Sequence, residues 1–125
     1  MEENIEKLQF PIGKYKPNLE FDFSKTSEDI KTLESFAEMI KESIKDLDES
    51  DFNKTYREGG MNIAQIIHHW CDTHTYAFLR TKHTLLEDNP NVKMYEVDEF
   101  LSTHDSNTLD VKDSLNIIEG IHSKW

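Results

Sequence analysis

The most informative segment of the sequence for the fold is residues 62–87, NIAQIIHHWCDTHTYAFLRTKHTLLE. At about 100° per residue, its apolar side chains share one face of a helix and a polar set gathers on the opposite side. The apolar face comprises Ile63, Ile67, Trp70, His74, Ala77, Phe78 and Leu85, and the polar set comprises His69, Asp72, Tyr76, Arg80 and His83. Asn62 is a candidate N-cap and Pro90 prevents continuation. These features predict one long amphipathic helix.

Two further helices are predicted, one on each side of this stretch. The first begins at about Ser27, where Thr26 and Asp29 form a start signal, and ends at about Leu47. Its apolar stripe is Ile30, Leu33, Phe36, Ala37, Ile40, Ile44 and Leu47. The last begins near Asp110 and carries Val111, Leu115, Ile118, His122 and Trp125 at helical spacing. Since no strand pairing is evident, the sequence predicts an all-α bundle in a single domain, residues 1–125.

The segments outside these helices carry apolar side chains as well. Residues 1–25 contain Pro11, Gly13 and Pro17 and are predicted to form an extended N-terminal arm that lies on the body. The anchors of this arm are Leu8, Phe10, Ile12, Tyr15, Leu19, Phe21 and Phe23. Residues 88–107 form a long connection with anchors at Val92, Tyr95, Val97, Phe100 and Leu101. A connection of this length is expected to be functional or to pack over something.

Composition restricts the partners and the compartment. The chain has 125 residues and a formal net charge of −11, which repels phosphate backbones and anionic membrane surfaces. We therefore expect neither nucleic acid nor a membrane as a partner. Cys71 is the single cysteine, so an internal disulfide is excluded, and no apolar signal segment occurs at the N-terminus. These features favour a cytoplasmic protein.

Histidines are the residues most suggestive of chemistry: His68, His69, His74, His83, His104 and His122. His69 with Asp72 or Thr73 is the one close polar set at the i, i+3 and i+4 spacings that a metal can bridge. It supplies two ligands where a zinc or nickel site needs at least three. His74 is expected to be buried and hydrogen-bonded to a neighbouring element, and Cys71 to be a buried, unreactive thiol.

In combination, several motifs resemble the YfiT-like branch of the DinB superfamily, over essentially the whole chain. They are residues 8–15 (LQFPIGKY), 56–60 (YREGG), 65–74 (QIIHHWCDTH), 80–82 (RTK), 114–115 (SL) and 121–125 (IHSKW). Members are described as metal-dependent hydrolases and, in some cases, bacillithiol-type thiol S-transferases. The resemblance implies a small-molecule or thiol substrate and an up-down four-helix bundle, often dimeric, of which this sequence carries three helices and the N-terminal arm.

The resemblance also implies a divalent metal, nickel or zinc, held by three histidines. His69 matches the first ligand, and the other two belong to a His-x-x-x-His pattern on a fourth helix beyond the position of Trp125. Asp72 is a candidate to orient an imidazole, or else a solvated acid. Tyr56 and Arg57 either fix their loop or contribute a polar lining to the pocket.

We therefore expect the chain to be a truncated form of a metal-dependent enzyme. On its own, the chain is expected to bind the metal weakly. Two alternatives stay open at this point. In the first alternative, the chain is a non-catalytic helical interaction module that self-associates. In the second, the other subunit of a dimer donates histidines such as His104 or His122 and completes the metal site.

Overall fold

A computed structural model describes the backbone of residues 2–125 and the side chains from Ile5 onward. Its α-helices are α1 (Glu2–Gln9), α2 (Phe23–Ile44), α3 (Ile63–Leu86), α4 (Val97–Leu101) and α5 (Lys112–Lys124). Two 3₁₀ turns, Asp51–Asn53 and Asp105–Asn107, lie between them. The predicted all-α class is confirmed, and α2, α3 and α5 are the three long helices that the sequence predicts. None of the described helices is both long enough and apolar enough to cross a bilayer.

Helix α5 packs against both α2 and α3 and closes the core. The buried side chains of the core are Ala37, Ile40, Ala64, Ile67, Cys71, Val111 and Ile118. Hydrogen bonds join His68 to Ser114 and His74 to His122, so residue numbers rise together along α3 and α5. These two helices are therefore parallel. α2 runs antiparallel to α5, because Leu33 contacts His122 while Lys41 pairs with Glu119, and α2 is therefore also antiparallel to α3. The connection between α3 and α5 must return the chain along the bundle, which explains its length.

The start of α3 follows its sequence signal. The side-chain oxygen of Asn62 accepts a hydrogen bond from the Gln65 amide at 2.8 Å, and the Gln65 side chain accepts one from the Asn62 amide at 3.0 Å. This reciprocal capping box satisfies two amide groups that would otherwise lack partners. The predicted cap at Asn62 is confirmed.

Replacing this cap tests its contribution to stability. We expect Asn62→Ala to lower the free energy of unfolding by about 1 kcal/mol, because the Gln65 amide loses its acceptor. Asn116→Ala is the matched control, since Asn116 is exposed within α5 and caps nothing. Urea unfolding followed by circular dichroism measures both variants. Equal loss of stability in the two would contradict the role of the cap.

The boundaries of α2 and α5 differ from those predicted. α2 begins four residues earlier than Ser27, because Asp22 accepts a hydrogen bond from the Lys25 amide at 3.1 Å. It ends at Ile44 rather than Leu47. The Asp48 carboxylate then stabilises a turn by accepting a hydrogen bond from the Ser50 amide. α5 begins at Lys112, two residues after the expected Asp110.

Residues 1–25 were expected to form an extended arm, and this expectation is wrong for the residues of α1. Residues Glu2–Gln9 are helical, since EENIEKLQ combines good helix formers with Ile5 and Leu8 at i, i+3 spacing, and Pro11 ends the helix. The rest of the arm does not lie on the described body. Ile12 is 100% exposed and Leu19 is 94% exposed, so these apolar side chains have no cover within the described residues.

Candidate functional site

The His69 cluster, which we define as His69, Thr73 and Tyr95, is where α3 meets the α3–α5 connection. The Nδ1 atom of His69 lies 3.2 Å from the hydroxyl oxygen of Tyr95 and 3.5 Å from that of Thr73. The imidazole is half-buried, and burial lowers the pKa of His69 below its usual value. A neutral ring is the form that binds a metal ion, so the environment of His69 favours a ligand role.

Aromatic side chains of the connection cover the polar side of α3. The ring centroid of Tyr95 lies 4.6 Å from that of Phe100 and 5.3 Å from that of Tyr76. Phe100 also meets Tyr76 edge-on at 5.6 Å. The long connection therefore packs over α3, as its length and its anchors predict, and α4 is the short helix that holds Phe100 in place.

Asp72 lies on the same side of α3 and is half-buried. Burial raises the pKa of this carboxyl group, the negative charge of Asp105 raises it further, and His68 acts in the opposite direction. Within the described part of the chain, no hydrogen bond joins Asp72 to an imidazole, and the Nδ1 atom of His69 has hydroxyl groups as its neighbours instead. The proposed orienting role of Asp72 stays a prediction.

Tyr56 and Arg57 form a compact loop before α3. The Nε atom of Arg57 donates to the Tyr56 hydroxyl at 3.1 Å, and its guanidinium also donates to the Glu58 carbonyl at 2.9 Å. A Cβ atom at Gly60 would lie 2.8 Å from the Arg57 side chain and 2.9 Å from the Tyr56 ring, so this close approach needs glycine. Among the described residues, no hydrogen bond connects this pair to His69. Their place in a pocket lining stays a prediction.

His68 is a structural residue, a role that the sequence analysis did not assign to it. Its side chain is buried, its Nε2 atom lies 3.0 Å from the Thr108 carbonyl, and its Nδ1 atom lies 2.8 Å from the Ser114 hydroxyl. A carbonyl only accepts, so Nε2 carries the proton and donates to it. The two neighbouring histidines therefore have different contacts. His68 joins α3 to α5, and His69 faces the connection between these helices. The 100° between successive helix positions explains this difference.

A second histidine pair joins three helices. His122 Nδ1 donates to the Leu33 carbonyl of α2 at 2.7 Å, which leaves its Nε2 atom to accept from His74 Nδ1 at 2.6 Å. Burial, together with the neighbouring His122 and His69 rings, lowers the pKa of His74 to about 4. The expected hydrogen bond from His74 to a neighbouring element is confirmed, but the residue is half-buried rather than buried. His122 uses both ring nitrogens internally, so it does not offer one to a partner.

In the described part of the chain, Cys71 and the acidic groups do not complete a metal site around His69. Cys71 is buried in the core, and burial raises the pKa of its thiol, as expected for an unreactive cysteine. Among the side chains that the structure describes, no group of three His, Cys, Asp or Glu residues could hold a metal ion. The described residues therefore fit one ligand position and do not form a complete metal site.

The fold defines the class of the protein as an all-α helical bundle. Among its relatives is a protein of Geobacillus thermodenitrificans that is 33% identical over 121 residues, covering 97% of this chain and 68% of the relative. The chain belongs to the YfiT-like family, whose members are named for a proposed metal-dependent hydrolase activity. A relative from Halalkalibacterium halodurans is 34% identical over 117 residues, covering 94% of this chain and 68% of its own length.

YfiT of Bacillus subtilis is similar in both sequence and structure. It is 30% identical over 118 residues, which cover 94% of this chain and 66% of YfiT. Its solved structure matches with a TM-score of 0.89 at 29% identity, covering 95% of this chain and 68% of that one. YfiT is described as a four-helix bundle of unusual topology, for which metal-dependent hydrolysis is the proposed activity. No family model matches the sequence.

Proposed function

We propose that His69 supplies one ligand to a divalent metal, nickel or zinc, in a site that catalyses hydrolysis or thiol S-transfer. The observation that carries this proposal is the His69 cluster, in which hydroxyl groups engage Nδ1 and leave Nε2 as the ligand atom. Ligand histidines in metal sites characteristically bond a polar group through their second nitrogen. Family membership supports metal dependence, although it does not identify the metal.

Completion of this site requires donors beyond those described. In the family pattern, the two remaining histidines come from a His-x-x-x-His helix, and about a third of the relatives' length lies outside the match. A bound divalent metal would supply Lewis-acid activation of water or of a thiol. The contribution of this chain is to bury and orient the His69 ring.

Metal binding by the 125-residue chain tests this proposal. We expect zinc or nickel to bind with a Kd weaker than about 10 μM, because one imidazole competes poorly with water and buffer. His69→Ala should remove this binding, whereas His83→Ala, which changes an exposed histidine on the same helix, should retain it. Isothermal titration calorimetry measures all three chains. Sub-micromolar binding that survives His69→Ala would disprove the assignment.

A second candidate function, self-association, is favoured by an apolar groove between α2 and α3. The groove has a volume of about 340 Å³ and is lined by Phe36, Met39, Ile40, Ser43, Ile44, Leu47, Ile63, Ile66, Ile67 and Trp70. Exposed apolar surface of this kind is covered in many proteins by a second copy. Light scattering at increasing protein concentration tests this candidate, and a monomer at every concentration would exclude it.

A further inference from the structure

Tyr95 is held in position independently of His69. Its ring packs between Phe100 of α4 and Tyr76 of α3, with centroid distances of 4.6 Å and 5.3 Å. The half-buried ring leaves the hydroxyl group facing α3, 3.2 Å from the Nδ1 atom of His69. Aromatic packing therefore fixes the hydroxyl before any ligand binds, which is the arrangement that pre-organises a side chain.

Thr73 differs from the other threonines of α3 in a way that supports this arrangement. Thr75, Thr81 and Thr84 each donate their hydroxyl to the carbonyl four residues earlier, at 2.7–2.9 Å. Thr73 has no such bond among the described contacts, and its hydroxyl lies 3.5 Å from the Nδ1 atom of His69. Two hydroxyl oxygens therefore face the same ring nitrogen, and both are able to accept a hydrogen bond from it.

We propose that Tyr95 is a positioning residue for His69. Its hydroxyl oxygen accepts the hydrogen bond of Nδ1–H, with Thr73 as a weaker second acceptor. This bond selects the Nδ1–H tautomer, fixes the rotation of the ring and leaves the lone pair of Nε2 for a cation. The inference rests on the proposed ligand role of His69, but the tautomer of the ring is measurable without any metal. The opposite arrangement, in which the Tyr95 hydroxyl donates to Nδ1, would place the proton on Nε2.

Nuclear magnetic resonance of the metal-free chain distinguishes these arrangements. Long-range ¹H–¹⁵N spectra at pH 8 report which nitrogen of each neutral imidazole carries the proton. We expect the Nδ1–H form of His69 to predominate in the unmodified chain and to lose its predominance in Tyr95→Phe, which keeps the ring packing. Tyr76→Phe is the matched control, because it removes a hydroxyl from the same aromatic group without touching His69. Predominance of Nε2–H, or an unchanged tautomer in Tyr95→Phe, would overturn the proposal.

Titration with zinc alone separates this inference from the proposed function. We expect zinc to shift the Nε2 signal of His69, and Tyr95→Phe to weaken that response about tenfold, as for other residues that orient a metal ligand. If zinc does not shift the Nε2 signal of His69, the proposed ligand role is wrong. The tautomer measured without metal then still tests whether Tyr95 positions the ring. If zinc binds equally to both chains, Tyr95 does not position the ligand.

Discussion

Ile118→Ala lowers the free energy of unfolding by about 3–4 kcal/mol, the largest effect that we expect from a single substitution. Ile118 is 0% exposed and lies where α5 packs against α2 and α3, in one cluster with Ile40 and Ile67. Truncation removes buried methyl and methylene groups and leaves a cavity whose walls are held by three helices. A domain with a total stability of about 5–15 kcal/mol loses a large fraction of it.

The neighbouring residue provides the control for this effect. Ile117 is 47% exposed on the same helix, so Ile117→Ala has the same chemistry but leaves no buried cavity. With a denaturant slope of about 2 kcal/mol/M, Ile118→Ala should lower the urea midpoint by about 1.5–2 M. Ile117→Ala should shift it by about a quarter of that or less. Similar shifts in the two variants would contradict the central position of Ile118.

Acid destabilisation through His74 is the second large effect that we expect. The pKa of His74 is about 4 in the folded chain and 6.5 in its unperturbed state, so the unfolded chain binds a proton first as the pH falls. The stabilising contribution is therefore complete above pH 6.5 and is lost between pH 6.5 and pH 4. The full shift corresponds to about 3 kcal/mol, and partial exposure of the ring to solvent reduces this to about 1–2 kcal/mol.

A variant without the imidazole isolates this contribution from the acidic residues that also titrate. His74→Asn removes the titrating group that is hydrogen-bonded to His122, so the stability of this variant should fall less steeply than that of the unmodified chain below pH 6.5. Between pH 7 and pH 8 the two profiles should run parallel. Urea unfolding at intervals of half a pH unit measures both. Parallel profiles down to pH 4 would show that His74 does not carry the pH dependence.

Helix caps and apolar periodicity predict a helix well where the same few neighbouring residues also determine its structure. The candidate cap at Asn62 and the apolar periodicity of residues 62–87 place α3 within one residue of its observed start and end. The error at the start of α2 has an equally local cause, since both Asp22 and Thr26 are acceptable caps. There, Asp22 caps the Lys25 amide, and Thr26 donates to the Asp22 carbonyl within the helix.

The candidate site was only partly predictable, because its members are distant in sequence. His69 was identified through the family resemblance, whereas Tyr95 appeared only as an apolar anchor of the connection. The two residues meet because Tyr95 packs on Tyr76 and Phe100, which helical periodicity does not encode. The same reason applies to His68, whose partners Thr108 and Ser114 lie on and beyond the connection.

The all-α class, the three long helices, the family and the candidacy of His69 are all predictable from the order of the amino acids. These depend on periodicity, caps and motifs, which are properties of neighbouring residues. Three features are visible only in the folded chain: α3 and α5 are parallel, His74 and His122 link three helices, and Tyr95 faces His69. Each of these features depends on how the connection between α3 and α5 crosses the bundle. The contacts that stabilise this course join residues that are far apart in the sequence, so no local pattern predicts it.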